Sequence, residues 1–189
     1  MKIGGDMYKL KKDLRIAISG KSGCGNTTVS SLLSERLGVK LINYTFRQLA
    51  AEKNMTLPEV IEKAKTDDSY DIYVDTHQVE LAKKEPCVLG SRLAIWMLKE
   101  ADVKIYLIAS DDTRAKRILN REGGDLEKIK EFTKFRDTQD SERYMKLYKI
   151  DNNEYEFADL KIDTATKTPE MIVDFILEFL KSRDFIEEA

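Results

Sequence analysis

Gly20-Lys21-Ser22-Gly23-Cys24-Gly25-Asn26-Thr27-Thr28 is the segment whose residue types and spacing point most directly to chemistry. Its glycines open backbone conformations closed to other residues, so successive N–H groups can turn toward one anion. It lies between a β-branched apolar run, Arg15-Ile16-Ala17-Ile18-Ser19, and a stretch of helical spacing, and a helix N-terminus there adds partial positive charge. Gly20, Ser22, Gly23, Cys24, Gly25, Asn26, Thr27 and Thr28 are therefore candidate phosphate-binding residues. The pattern departs from G-x-x-x-x-G-K-[ST] at one residue: Asn26 holds the lysine position, while Thr27 keeps the hydroxyl that would ligate Mg2+. Lys21 is the candidate replacement charge, and its plain alternative is a solvated surface lysine. Cys24 is open to oxidation in such a loop, or simply fills space as a small side chain.

The elements that must position this loop read as alternating strands and helices. Arg15–Ser19, Lys40–Asn43, Pro86–Leu89, Val103–Ala109 and Ala158–Ile162 are short apolar runs bounded by turn formers. From Thr27, the residues Val29, Leu32, Leu33 and Leu37 recur at helical spacing up to a C-terminal Gly38. A last helix has Thr168 as N-cap, Pro169 in its first turn and an apolar face of Met171, Ile172, Phe175, Ile176, Phe179 and Leu180. Strands separated by helices need crossover connections, which favour parallel pairing in a layered α/β sheet.

The 189 residues suit one domain. With 42% hydrophobic and 35% charged residues, the chain is too apolar for disorder and too charged for a membrane protein. Thirty-two basic against 34 acidic residues give a net charge of -2, so any phosphate binding is local, and neither a nucleic-acid polymer nor a membrane is an expected partner. Two cysteines and one histidine exclude a disulfide framework and a histidine-rich metal centre, which suits a reducing cytoplasm. Met1–Asp13 lacks the apolar core of a signal peptide and is read as a retained polar leader. Asp111–Tyr148 interleaves nine basic residues, from Arg114 to Arg143, with acids. Such a segment is a solvated helical hairpin or a mobile cover over anions.

Taken together, the loop, Thr45-Phe46-Arg47-Gln48-Leu49-Ala50, the stretch Asp75–Leu81, Ser91-Arg92-Leu93-Ala94-Ile95-Trp96-Met97 and Arg114-Ala115-Lys116-Arg117-Ile118 resemble, in order, the cytidylate kinase family of nucleoside monophosphate kinases. The short archaeal-type branch is the nearest match, from about Arg15 to Leu180. The resemblance implies a P-loop fold with a five-stranded parallel sheet: a core over about 14–183, an acceptor-binding insertion over about 44–84 and a lid over about 111–150. It implies ATP and Mg2+ as cofactors and CMP or dCMP as acceptor; a monomer is the expectation, with an oligomer left open.

By the same resemblance Arg47 and Arg92 clamp the acceptor phosphate, and Arg136, Asp140 and Arg143 surround the acceptor and lid. Asp75 and Gln78 face the base or ribose, and Arg117, Arg121, Arg143 and Lys21 supply transition-state charge. Without that context Arg136-Asp140-Arg143 reads as a surface ion-pair ladder. His77 reads either as a base or phosphate contact or as an inert surface histidine. Tyr144 and Tyr148 read either as a cover over a base or as a packing stripe. The sequence departs from the family at Gly90, where an acid commonly ends the strand, at Thr76 and His77, where arginines often meet cytosine, and in a shorter turn, Asn43-Tyr44-Thr45. A nucleotide sensor without catalysis and a kinase for another small acceptor are the rival readings.

Overall fold

The computed structural model describes residues 8–189. At its centre stands β2 (Arg15–Ser19), in which Ile16, Ala17 and Ile18 are fully buried. Alternate side chains go to opposite faces of a strand, and here they seed two cores. Ile16 and Ile18 join Val88, Ile105, Leu107 and Ile162 beneath α1 (Asn26–Leu37) and α8 (Pro169–Ser182). Ala17, Leu89 and Tyr106 pack on the other face with residues of α4 (Ser69–Lys84) and α5 (Ala94–Met97).

Five strands form the main sheet in the order β3-β4-β2-β5-β6, all parallel: β3 (Lys40–Ile42), β4 (Cys87–Gly90), β5 (Val103–Ile108) and β6 (Leu160–Asp163) join β2. This is the α/β arrangement expected from the sequence. The chain order reverses about β2, so the loops after β2 and β4 diverge at the carboxyl edge and leave a crevice, the usual ligand position in such sheets.

Two helical segments rise over that edge. Between β3 and β4 run α2 (Phe46–Glu52), α3 (Leu57–Ala64) and α4, with a small core of Tyr44, Leu49, Ala50, Val60 and Val74. Thr45 with Gln48 and Thr56 with Glu59 form capping boxes that start α2 and α3. Between β5 and β6 lie α6 (Asp111–Glu122) and the 23-residue α7 (Leu126–Tyr148), which buries only Thr133, Asp140 and Tyr144. That polar interface is why the sequence there shows charge and little apolar period.

Two expectations need correction. Part of the segment read as a polar leader is structured: β1 (Tyr8–Leu10) pairs antiparallel with β7 (Ile186–Glu188), and Lys11 N–H donates to Phe185 O. Residues 1–7 of that leader lie outside the described residues. On α8, Thr168 caps as expected, accepting from Met171 N–H at 3.2 Å, but Met171 and Phe175 each remain 52% exposed. The buried stripe is instead Ile172, Val173, Ile176, Leu177 and Leu180. Among the described residues no helix is long and apolar enough to cross a membrane.

Candidate active site: an anion cleft at the carboxyl edge of the sheet

The last residue of β2, Ser19, is fully buried and ties two strand ends together. Its Oγ donates to Ser91 O at 2.7 Å and accepts from Ile95 N–H at 3.1 Å. The glycine loop begins there. Gly23 and Gly25 take φ of 82° and 96°, conformations that side-chain-bearing residues avoid. Cys24 N–H closes a turn onto Lys21 O at 3.1 Å and its side chain enters the core, so Cys24 is buried filler. Burial raises its thiol pKa, which opposes oxidation.

Two arginines brace the loop from outside the cleft. Arg114 is 1% exposed, donates to Ser22 O at 3.1 Å, and forks onto Asp137 while also meeting Asp111. Arg117 donates to Gly23 O at 3.2 Å and to Thr164 Oγ1 and O at 2.9 and 2.6 Å. Arg117 was expected to supply transition-state charge, but its two terminal nitrogens are committed to backbone and hydroxyl oxygens behind the loop. The structure makes it a support.

With its outer carbonyls held in this way, the loop turns its donors inward. The N–H groups of Gly25, Asn26, Thr27 and Thr28 find no acceptor among the described residues. Helices α2, α3, α6, α7 and α8 all begin with a side-chain cap, whereas Gly25 gives α1 none. An uncapped N-terminus of this kind is an anion site. Asn26, in the lysine position, folds back and donates through Nδ2 to Gly20 O at 2.7 Å, so it fastens the loop to itself. Gly20 cannot be larger, because a Cβ would lie 2.7 Å from both Asn26 Oδ1 and Leu107 O.

The cleft in front of the loop has a volume of about 410 Å³ and three walls. The loop contributes Lys21, Ser22, Gly23 and Gly25 through Thr28. A second wall carries Asn43 through Phe46 together with Asp71, Val74, Asp75 and Gln78 of α4. Arg92, Arg121, Arg136, Arg143 and Tyr144 complete it. Four arginines and Lys21 therefore face one cavity.

Carboxylates set their positions: Asp140 pairs with Arg92 and, at 3.3 Å, with Arg143, which also reaches Asp71 at 3.5 Å. Arg136 has no ion-pair partner among the described residues, and burial, then the charge of Arg92, lowers its pKa. Lys21 likewise lacks a paired acid within 4.0 Å, and it borders the small polar chamber lined by Asp137 and Asp140. A cation cluster short of countercharge fits an anionic ligand.

Asp75 is the most perturbed acid of the cleft, its pKa raised to about 6 by desolvation. The Tyr148 hydroxyl, donating to it at 2.6 Å, and Arg143 oppose that rise, while Asp71 and Asp140 add to it. One helical turn on, Gln78 is 4% exposed, and its amide has no hydrogen-bond partner among the described residues.

Several sequence expectations are not assembled here. Arg47 is exposed on the first turn of α2 and does not line the cleft, although its neighbour Phe46 does. His77 does not line the cleft itself: it stacks on Tyr73 with centroids 5.2 Å apart and meets the wall residue Tyr44 edge-on from behind. Gly90 has a steric reason for lacking an acid: a Cβ there would lie 2.4 Å from Ser30 Oγ and 2.8 Å from Ser30 Cβ.

Sequence reasoning missed Arg114 with Asp137 as the loop's brace, Asp71, and the bond from Tyr148 to Asp75. Only the Asp111-Arg114 spacing offered a local signal.

The residues suit ATP phosphates through the loop amides. For Mg2+ they offer the exposed Thr27 hydroxyl, and no cluster of three acid, histidine or cysteine ligands exists among the described residues. Mg2+ tolerates such a sparse set, since it keeps its waters and binds largely through substrate phosphates.

Comparison with known proteins agrees with this geometry. Residues 15–166 match the model of the cytidylate kinase-like family. "Cytidylate kinase 2" of Borrelia garinii subsp. bavariensis is 42% identical over 175 residues, covering 90% of this chain and 98% of the relative. "Cytidylate kinase" of Archaeoglobus fulgidus is 39% identical over 168 residues, covering 87% and 93%. Among solved structures, shikimate kinase from Bacteroides thetaiotaomicron aligns with a TM-score of 0.64 at 16% identity, over 90% of this chain and 99% of that one. Deoxyadenosine kinase from M. mycoides with bound dCTP gives 0.55 at 21%, over 89% and 100%. At those identities the structures show a shared fold. The match over residues 15–166 and the full-length sequence relatives establish that this chain belongs to the cytidylate kinase-like family.

Proposed function

We propose that the protein is a cytoplasmic nucleoside monophosphate kinase that moves the γ-phosphoryl group of ATP onto CMP or dCMP and acts as a monomer. One observation carries the reading: an uncapped helix N-terminus within a glycine loop faces a cluster of arginines across a single cleft. An anion is thereby favoured on both sides of the place where a phosphoryl group would pass.

The chemistry asks little of any base. An oxygen of the acceptor phosphate is already anionic, forms the new bond to γ-phosphorus, and the bond to the β-phosphate oxygen breaks to release ADP. What remains is positioning and charge stabilisation. The loop amides of Gly25 through Thr28 hold the donor's β- and γ-phosphates, with Lys21 in place of the missing lysine. Arg92, Arg136 and Arg143 hold the acceptor's phosphate, and Arg47 joins them if α2 moves inward. Arg121, whose only ionic partner among the described residues is the exposed Glu122, is the lid's cation. Bound Mg2+, reached by Thr27, would screen the phosphate oxygens. Residues 44–84 act as the acceptor-binding insertion, with Asp75 and Gln78 toward the base, and residues 111–150 as a lid that excludes water.

The test is ADP formation from MgATP with each nucleoside monophosphate in turn. CMP and dCMP are expected to be turned over fastest. Turnover of none, with calorimetric binding of a nucleotide, would establish instead the non-catalytic sensor that Asn26 and Gly90 would suit.

A further inference from the structure

Arg92 stands on a turn between β4 and α5, and that turn is gripped from both ends by one hydroxyl. Ser19 Oγ donates at 2.7 Å to the carbonyl of Ser91, just before Arg92, and accepts at 3.1 Å from the N–H of Ile95, just after the turn. Helix α5 has Leu93 at its N-cap and therefore no side-chain cap of its own. Ile95 is fully buried, so its N–H depends on a protein acceptor, and a residue of the neighbouring strand supplies one. Ser19 is itself 0% exposed and is followed directly by Gly20, the first residue of the glycine loop. One side chain thus has the loop beside it along the chain and the Arg92 turn beside it across hydrogen bonds.

Other contacts leave this task to Ser19. The backbone bond from Ser91 N–H to Ile18 O, at 3.1 Å, and the close approach of Gly90 to Ser30 keep the end of β4 beside β2 and α1. Both act before the turn and do not set its direction. Asn26 ties the loop to itself, Arg114 ties it to Asp137 of α7, and Arg117 ties it to Thr164. Among the described residues no other side-chain hydrogen bond joins residues 19–28 to residues 90–97.

We propose that Ser19 is a positioning residue that sets the distance and direction of Arg92 from the glycine loop, and with them the approach of the acceptor phosphate to γ-phosphorus. The proposal rests on the kinase reading above, with donor phosphates in the loop and the acceptor phosphate on Arg92, and adds what keeps the two in register. In-line transfer needs reacting atoms about 3–3.5 Å apart, and a misplacement of about 1 Å costs on the order of 100-fold. Attack by water makes no use of Arg92. In that side reaction a water oxygen forms the bond to γ-phosphorus, the bond to the β-phosphate oxygen breaks, and the water's proton goes to solvent as ADP and inorganic phosphate leave. A loosened Arg92 turn therefore slows transfer and leaves hydrolysis at its former rate.

The experiment measures phosphorylated acceptor and inorganic phosphate formed from MgATP and the fastest acceptor, expected to be CMP. It compares the wild type with Ser19→Ala and with Ile186→Ala, a core variant remote from the cleft. In Ser19→Ala, kcat for transfer should fall about tenfold to 100-fold while KM for ATP stays within about twofold. Inorganic phosphate released per phosphorylated acceptor should rise by the factor that kcat falls. Both products come from the same folded molecules, so their ratio does not depend on how much of a variant is folded. Ile186→Ala, destabilised with the turn intact, should keep the wild-type ratio. An unchanged ratio in Ser19→Ala, an equal rise in Ile186→Ala, or a raised KM for ATP in place of the fall in kcat would overturn the inference and leave the kinase reading intact. Failure of the wild type to phosphorylate any nucleoside monophosphate would overturn both.

Discussion

At the scale of single residues, the site divides labour that a lysine usually combines. Asn26 fastens the loop through Gly20 O, and in the proposed function the charge falls to Lys21, five positions earlier and with no ion pair among the described residues. Lys21→Ala should therefore lower kcat/KM for ATP by about 100-fold, the scale of one transition-state donor. Thermal unfolding should stay in place, since no paired acid is stranded; steady-state kinetics beside a melt would show the split. Asp75 gives a second residue-level expectation, for stability. Its native pKa, about 6, lies above the ordinary carboxylate value, so the folded state binds a proton more tightly than the unfolded one. Stability contributed by that proton is present at low pH and fades as pH rises through about 6. Asp75→Asn should accordingly gain about 1–2 kcal/mol above pH 7 and nothing below about pH 4, read by urea denaturation at both pH values. The glycine loop was legible in the sequence because its glycines and the helix start they lead into are consecutive residues, Gly20 to Thr28. The Asp75–Tyr148 bond was not, because 73 residues separate its partners and the spacing of Tyr144 and Tyr148 suits a packing stripe as well as a cover over a base.

At the scale of elements, the glycine loop is braced by a helix pair distant in sequence. Arg114 of α6 is almost wholly buried between Ser22 O and the carboxylate of Asp137 on α7, so the loop and α7 share one guanidinium. Burying such a charge is costly unless its partners remain, and Asp111 alone, 76% exposed, is a weak substitute. Asp137→Ala should cost about 3 kcal/mol of folding stability and raise KM for ATP as the loop loses its brace. Equilibrium denaturation and ATP titration measure the two effects, and unchanged values for both would refute the coupling. The same pair shows why α6 and α7 are legible only as a charged helical hairpin or a mobile cover. Ion pairs such as Arg114–Asp137, between the two helices, and Arg92–Asp140 help to hold them, and α7 in particular shows little hydrophobic period. The central strands, by contrast, were legible to within two residues, since Ile16, Val88 and Ile105 sit in apolar runs buried on both faces. On α8 the apolar pattern was overread. The helix is hydrophobic over more of its circumference than it buries, and Met171 and Phe175 are left outside.

At the scale of the whole molecule, chemistry and closure occupy opposite ends of the sheet. The carboxyl ends of β2 and β4 carry the loop and Arg92, whereas the β1–β7 ribbon sits by the amino ends, where Lys12 reaches Asp102 just ahead of β5 and Arg15 N–H donates to the same carboxylate. Most ribbon contacts are exposed ion pairs, Lys9 with Glu187 and Lys181 with Glu188 among them, which contribute little singly. Ile186 differs: it is 3% exposed and belongs to the same core as Ile16, Leu14 and Leu180. A side chain contributed by the last strand thus completes the packing beneath the first strand of the main sheet. Ile186→Ala should cost about 2–4 kcal/mol through lost burial and the cavity it leaves. Because the ribbon touches no wall of the cleft, KM for ATP and for the acceptor should be unchanged at temperatures where the variant is folded. A melting curve paired with kinetics below the transition tests this separation, and a changed KM with an unchanged melt would mean that the two ends of the sheet communicate.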